Sequence, residues 1–298
     1  MLTAICAYFN PFGSGARERA YARFRAELEA AGVAVICAEQ TFEGVPRVGG
    51  DGDLSVCGGD TLWQKECLLQ LGVGKALAAG ASRLILLDAD ILFETADAWA
   101  RIDRSFDDLD WFQPFESVTL DYADGPLVRN SALSLSDQRY GLGHPGSCWA
   151  GTAELFRMMP IYPYALLGGG DVVMTHLLTS CWKHGPTSER FTDFCEYLCR
   201  QALYPGLLPS ISAWAQTVTR CRFRYGHTPG VCIRALDHGS RSRRQYHSRY
   251  SAWSGAAQPP MPGQDFCVGT DGLLTWMTTP NPWEQVAAEY LEAREREG

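Results

Sequence analysis

Near-continuous apolar runs alternate with segments of helical period over the first third of the chain. Leu2 to Phe9 (LTAICAYF) has almost no polar interruption and stops at Asn10-Pro11. Such a run predicts a strand buried on both faces, as in a parallel sheet. Ala16 to Ala31 places Tyr21, Phe24 and Leu28 at spacings of three and four among charged residues, the pattern of an amphipathic helix, and Gly32 closes it. Val33 to Glu39 is a second buried strand. A strand–helix–strand unit of this kind is a right-handed crossover, which puts both strand C-termini on one edge.

Gly44 to Gly59 is rich in Gly and Asp and reads as a loop, and Leu62 to Ala79 returns to helical spacing. Arg83 to Leu87 (RLILL) is a third buried strand, followed directly by Asp88-Ala89-Asp90. After Trp111 the texture changes to short strands and turns. Gly168-Gly169-Gly170-Asp171 precedes a predicted helix, Val172 to Cys181. Phe191 to Val218 reads as helical material interrupted at Pro205 and Pro209. Pro282 to Glu297 is a charged helix with Pro282 suited to its first turn. No internal repeat or Ser/Gly linker appears. The pattern predicts one α/β domain over 1–298, with a first half at about 1–110 and a second at about 111–298 ending in the C-terminal helix.

Composition narrows the function. At 298 residues and 46% hydrophobic content, the chain can bury a large core. Its formal net charge of −8 supplies no global basic field for a nucleic-acid backbone. The basic stretch from Arg234 to Arg249 is the one local exception. The 11 cysteines are scattered without a zinc spacing, so they read as small, reduced core residues of a cytoplasmic protein. Met1 to Phe9 lacks a basic flank and reads as a strand rather than a signal peptide. No stretch approaches the roughly 20 apolar residues of a membrane span.

The chemistry centres on Asp88 and Asp90. Two residues apart in a strand or its extension, their side chains point the same way. Two like charges there are costly unless a cation neutralises them, and oxygen donors favour a hard ion, Mn²⁺ or Mg²⁺. Ligands of open α/β sheets gather at this edge. The plainer alternative is a solvated acidic turn. No Gly-x-Ser-x-Gly, P-loop or dinucleotide fingerprint is present.

These blocks resemble metal-dependent glycosyltransferases of the GT-A fold. The likeness is strongest to bacterial, phage and large-virus glycosyltransferase-like proteins related to the β-1,4-galactosyltransferase type. It runs through Asn10-Pro11, Leu62-Trp63-Gln64-Lys65-Glu66, Leu86 to Phe93, Gly168 to Asp171, His238-Gly239-Ser240-Arg241 with Arg244-Gln245-Tyr246, and Gly272 to Trp276. The resemblance implies a mixed central sheet and a nucleotide-sugar donor, UDP-linked above all. It implies Asp88, Asp90 and His238 around the metal, and Arg241 and Arg244 opposite the diphosphate. Asn10 and Glu39 could bond the nucleoside, and Lys65 could reach a phosphate or hold the Asp88 region. Each also has an ordinary reading, as turn residue, loop histidine or surface charge.

On the acceptor side, Gly169 and Gly170 let backbone approach a sugar closely. The resemblance makes Asp171 the general base of an inverting transfer, and an N-cap is its structural alternative. His144 to Ala150 resembles a donor-sugar segment in which Trp149 offers an apolar face, although Gly151-Thr152-Ala153 replaces the basic pair common in relatives. Other readings are a retaining enzyme acting on modified phage-type DNA, a metal-dependent nucleotidyltransferase, and a non-catalytic sugar-nucleotide-binding module. The acceptor is open among glycan, lipid, small molecule, protein and modified DNA.

Overall fold

The computed structural model describes residues 1–42, 44–135, 143–175, 205–219, 223–236, 249–254 and 258–295. Its first strand, β1 (Leu2–Phe9), is followed by α1 (Gly15–Ala30) and β2 (Ala34–Thr41). β1 is buried on both faces. Ala4, Cys6 and Tyr8 join one apolar cluster with Tyr21, Phe24 and Leu28 of α1, and Ile5 and Phe9 join another. Ser14 caps α1 by accepting from the Arg17 amide, and Asn10 Oδ1 in turn accepts from the Ser14 amide at 2.8 Å.

The Gly- and Asp-rich stretch after β2 contains a strand that the pattern did not predict, β3 (Leu54–Cys57), added in parallel to β2. It is a half-buried edge of only four residues, too short for periodicity to stand out from its glycine-rich flanks. The helix α2 (Lys65–Ala78) then crosses over one sheet face. Gly72 lets it approach closely: a Cβ there would sit 2.4 Å from Ile5 Cγ2. β4 (Arg83–Asp88) returns beside β1 in parallel.

Here the expected geometry changes. β4 ends at Asp88, and Ala89-Asp90 turn into β5 (Ile91–Phe93). The two-residue strand period therefore stops at Asp88 and cannot by itself align the two carboxylates. The chain continues through α3 (Ala98–Asp108), β6 (Trp111–Gln113), β7 (Ser117–Leu120), β8 (Leu127–Asn130), β9 (Cys148–Thr152) and α4 (Ala153–Met158). Helical residues at 170–175, hereafter α5, follow the glycine run. Later elements include helix Leu208–Thr219, β10 (Tyr225–His227), β11 (Cys232–Ala235), the hairpin β12 (Phe266–Val268) and β13 (Leu274–Trp276), and helix Glu284–Glu295. Pro209 does not interrupt helical structure as expected. It lies in the first turn of Leu208–Thr219, where no intrahelical N–H is needed.

The main sheet runs β10-β6-β9-β4-β1-β2-β3, and a smaller one runs β5-β11-β7-β8. β9 inserts antiparallel between β4 and β6, so the central sheet is mixed. From β1 the chain adds β2 and β3 on one side and β4 on the other. Ligand crevices of open α/β sheets form outside strand C-termini at such a reversal. Asp88 stands there. Among the described residues, no helix is long and apolar enough to cross a membrane.

Candidate active site

Four stretches of chain converge on one small pocket. α2 contributes Lys65, Glu66 and Leu69, and β4 contributes Leu86, Leu87 and Asp88. The start of β9 adds Ser147, Cys148 and Trp149, and α5 adds Asp171 and Met174.

Local folding explains each placement. Gln64, fully buried, ties the start of α2 to β13: its amide donates to the Leu274 carbonyl and accepts from the Leu274 amide, both at 2.8 Å. That anchor aims the next two residues, Lys65 and Glu66, into the pocket. The glycine run uses backbone that other residues rarely adopt, with φ of 92° at Gly168 and 103° at Gly169. Tyr250 holds it, accepting from the Leu167 amide and donating to the Gly168 carbonyl. Trp63 donates its amide to Leu166. Asp171 thus enters the first turn of α5, where its Oδ1 accepts from the Val172 amide at 2.9 Å.

The segment from His144 to Trp149 closes the opposite wall. The Ser147 carbonyl accepts from the Asp88 amide at 2.8 Å, and the Ser147 hydroxyl bonds His144 Nε2 at 2.9 Å. Ser147 has φ of 71°, the left-handed region, which costs a non-glycine residue about 1–2 kcal/mol. The two bonds hold it there. Gly146 admits Asp171: a Cβ on it would lie 2.3 Å from Asp171 Oδ2 and 3.5 Å from His144 Nε2.

Charge is concentrated. Lys65 forms an ion pair with Asp88. Burial alone would lower the lysine's pKa, but Asp88, Asp171 and Glu66 outweigh it and hold the ammonium charged. Glu66 is buried, and desolvation, opposed by Lys65 and assisted by Asp171, pushes its carboxyl up to about 8. Desolvation likewise pushes His144 down to about 4, so the imidazole is neutral near pH 7. Lys65, paired with Asp88, thus lines a pocket that Asp171 and Glu66 share, beside the neutral imidazole of His144.

Of the residues singled out from the sequence, Lys65, Asp88, Asp171 and Trp149 come together here, with Gly169 in the adjoining loop and Gly170 at the start of α5. Trp149 is buried edge-on to Trp111, with its indole N–H on the Pro145 carbonyl, so it forms a wall of the pocket from within the core. Asp90 lies in the turn after β4, outside the lining residues, and its carbonyl accepts from the Leu236 amide. Asn10 and Glu39 stand at the ends of β1 and β2, with side chains engaged by their own loops. Asn10 bonds Ser14 and Tyr8, and Glu39 accepts from the amides of Arg47, Val48 and Gly49. His238, Arg241 and Arg244 lie outside the described residues.

Glu66, His144 and Ser147 had no assigned role from sequence. For Glu66 a signal exists: Leu62, Glu66, Leu69, Val73 and Ala76 are spaced by three and four and all are buried, so a carboxyl interrupts an apolar stripe.

Among the described residues, no three His, Cys, Asp or Glu side chains cluster closely enough to hold a metal ion. The donors present suit a hard divalent cation in kind. Such ions are commonly held by one or two carboxylates together with substrate phosphates. Asp88 is engaged by Lys65, and Asp90 follows two residues later in the turn before β5. Leu236, two residues before His238 in sequence, is the residue bonded to Asp90.

Neither a family model nor a curated protein matches the chain. Solved structures do overlap it in part. A Drosophila β1,4-galactosyltransferase 7 mutant, in complex with manganese, UDP-Gal and xylobiose, is 12% identical over 58% of this chain and 59% of its own, with a TM-score of 0.31. S. aureus TarS is 12% identical over 59% of this chain and 54% of its own, at 0.38. The chain thus spans little more than half the length of either. A glycosyltransferase involved in glycosylation of the major capsid of PBCV-1 is 10% identical over 82% and 96%, at 0.33.

Proposed function

We propose that the chain is a GT-A glycosyltransferase that moves a sugar from a nucleotide diphospho-sugar, UDP-linked, to an acceptor hydroxyl with inversion. The observation carrying this reading is the convergence of Asp88, at the sheet's switch point, and Asp171, on a separate helix, upon one pocket that Lys65, paired with Asp88, also lines. A diphosphate needs a cationic neighbour, and an acceptor hydroxyl needs a base. Asp171 offers the base, and Lys65, already paired with Asp88, lines the wall beside it.

The donor lies across the C-terminal ends of β1 and β4. Glu39 and Asn10 order the loops that border the nucleoside. Asp90 and His238 would hold Mn²⁺ or Mg²⁺, which when bound supplies Lewis acidity to the leaving diphosphate. Arg241 and Arg244, as the resemblance implies, would stabilise the same charge. Asp171 Oδ2, left over from the helix-start bond, takes the proton of the acceptor hydroxyl. The acceptor oxygen bonds the anomeric carbon as the carbon–oxygen bond to phosphate breaks, and the nucleoside diphosphate leaves with the electron pair. Lys65 keeps Asp88 and Asp171 from repelling one another as charge builds.

The test is a panel of nucleotide sugars with Mn²⁺, scored by thermal stabilisation and by released product. A matching donor at about 100 times its Kd should stabilise the fold by roughly 2.7 kcal/mol and release a nucleoside diphosphate. Stabilisation without release would mark a binding module. Pyrophosphate release from a nucleoside triphosphate and a sugar phosphate would mark a nucleotidyltransferase instead.

A further inference from the structure

We propose that Glu66 is a positioning residue that works as a neutral carboxylic acid, supporting the Gly170-Asp171 turn from below while leaving Lys65 to Asp88. The proposal rests on the reading of Asp171 as the base, and it adds a residue that the reaction as described does not use.

Three observations carry it. Glu66 lies on the buried stripe of α2, and its Oε2 is enclosed without a hydrogen-bond partner. It packs directly under Gly170, where a Cβ would sit 2.4 Å from Glu66 Oε1 and 2.7 Å from Cδ. It also follows Lys65 in sequence, and that ammonium is paired with Asp88 rather than with Glu66. A second anion at this depth would need a cation; among the described residues the lysine lining the pocket is paired with Asp88, and Arg249, against the glycine run, donates Nη1 to the Leu167 carbonyl. The proton on Glu66 resolves the conflict, because desolvating a neutral acid costs far less than desolvating its anion.

The groups facing it agree. Lys65 on its own helix favours the anion, whereas Asp171 on α5 and Asp88 on β4 disfavour it. Burial first, and charge on Glu66 in addition, push the Cys67 thiol and the Tyr250 hydroxyl up, while Arg249 opposes the shift at Tyr250. Once ionised, Glu66 would compete with Asp88 for Lys65 and repel Asp171 across Gly170, loosening the two carboxylates the reaction needs.

The experiment compares the full chain with E66Q, which mimics the neutral acid in size and polarity. Melting temperature and donor turnover are both followed from pH 4 to 9.5. The sign follows from the carboxyl standing near 8 in the folded chain against 4.5 ordinarily. Between those values the folded chain holds a proton that the unfolded chain has lost, so stability falls as pH rises and levels off above about 8. E66Q lacks this loss. Its melting temperature should gain on the parent by about 2–4 °C per pH unit within that window. The contribution of His144 is common to both proteins and cancels.

For turnover, the parent should decline above pH 8, by up to about tenfold at pH 9. E66Q should hold its neutral-pH rate into that range. Parallel melting curves would overturn the neutral acid, whether or not any donor is turned over. Diverging melting curves with superimposable pH–rate profiles would overturn the positioning role. If no nucleotide sugar is a substrate, the melting comparison still decides the charge state, and the failure belongs to the glycosyltransferase reading.

Discussion

Asp171→Asn is expected to lower donor turnover by about 10²–10⁴-fold, the usual contribution of a positioned general base, while donor affinity stays unchanged. The substitution is unusually clean at this position. Asp171 Oδ1 accepts from the Val172 amide at the start of α5, and an asparagine carbonyl can keep that bond. Only Oδ2, the atom turned towards Gly146 and His144, loses its basicity. Steady-state turnover together with calorimetric donor binding separates the two effects. Turnover equal to that of the parent would remove Asp171 from the chemistry and leave it as a first-turn residue of α5.

Lys65→Met should have the largest effect on stability. It leaves Asp88 and Asp171 to face one another without the ammonium, and it leaves Asp88 without its partner. Removing one member of a fully buried pair costs about 3–5 kcal/mol. Lys65 and Asp88 keep 18% and 31% of their side-chain surface exposed, so solvent lowers the figure to roughly 2–3 kcal/mol. At about 2–4 °C per kcal/mol for a chain of this size, the melting temperature should fall by roughly 5–10 °C near pH 7. An unchanged melting temperature would mean that the pair is effectively solvated.

Where a signal is local, the sequence already shows it. The run Leu2 to Phe9 and the Tyr21, Phe24 and Leu28 spacing became β1 and α1, because burial on both faces and burial on one stripe leave distinct periods. Arg83 to Asp88 became β4 for the same reason. β3 stayed hidden, since four half-buried residues among glycines carry almost no period. The turn at Ala89-Asp90 was also invisible, because Asp-x-Asp reads alike in a strand or a bend.

The site divides in the same way. Asp88 and Asp171 stand out as acids beside a buried strand and a glycine run. Their convergence depends on β9 entering the sheet antiparallel to β4, a contact between distant segments. The Lys65 to Asp88 pairing and the Ser147 link from His144 to Asp88 are long-range in the same sense. Glu66 is the instructive intermediate: a carboxyl on an apolar helical stripe is visible in the sequence, whereas the reason for it appears only when Gly170 is found lying on top.

On the proposed reading, one pocket holds donor and base together. A crystal structure with UDP and Mn²⁺ tests it most directly. The diphosphate is expected over the C-terminal end of β4, with Asp90 and His238 on the ion and the open side of the phosphate turned towards Asp171. Nucleotide bound away from β4, or an ion with Asp90 and His238 far apart, would contradict it.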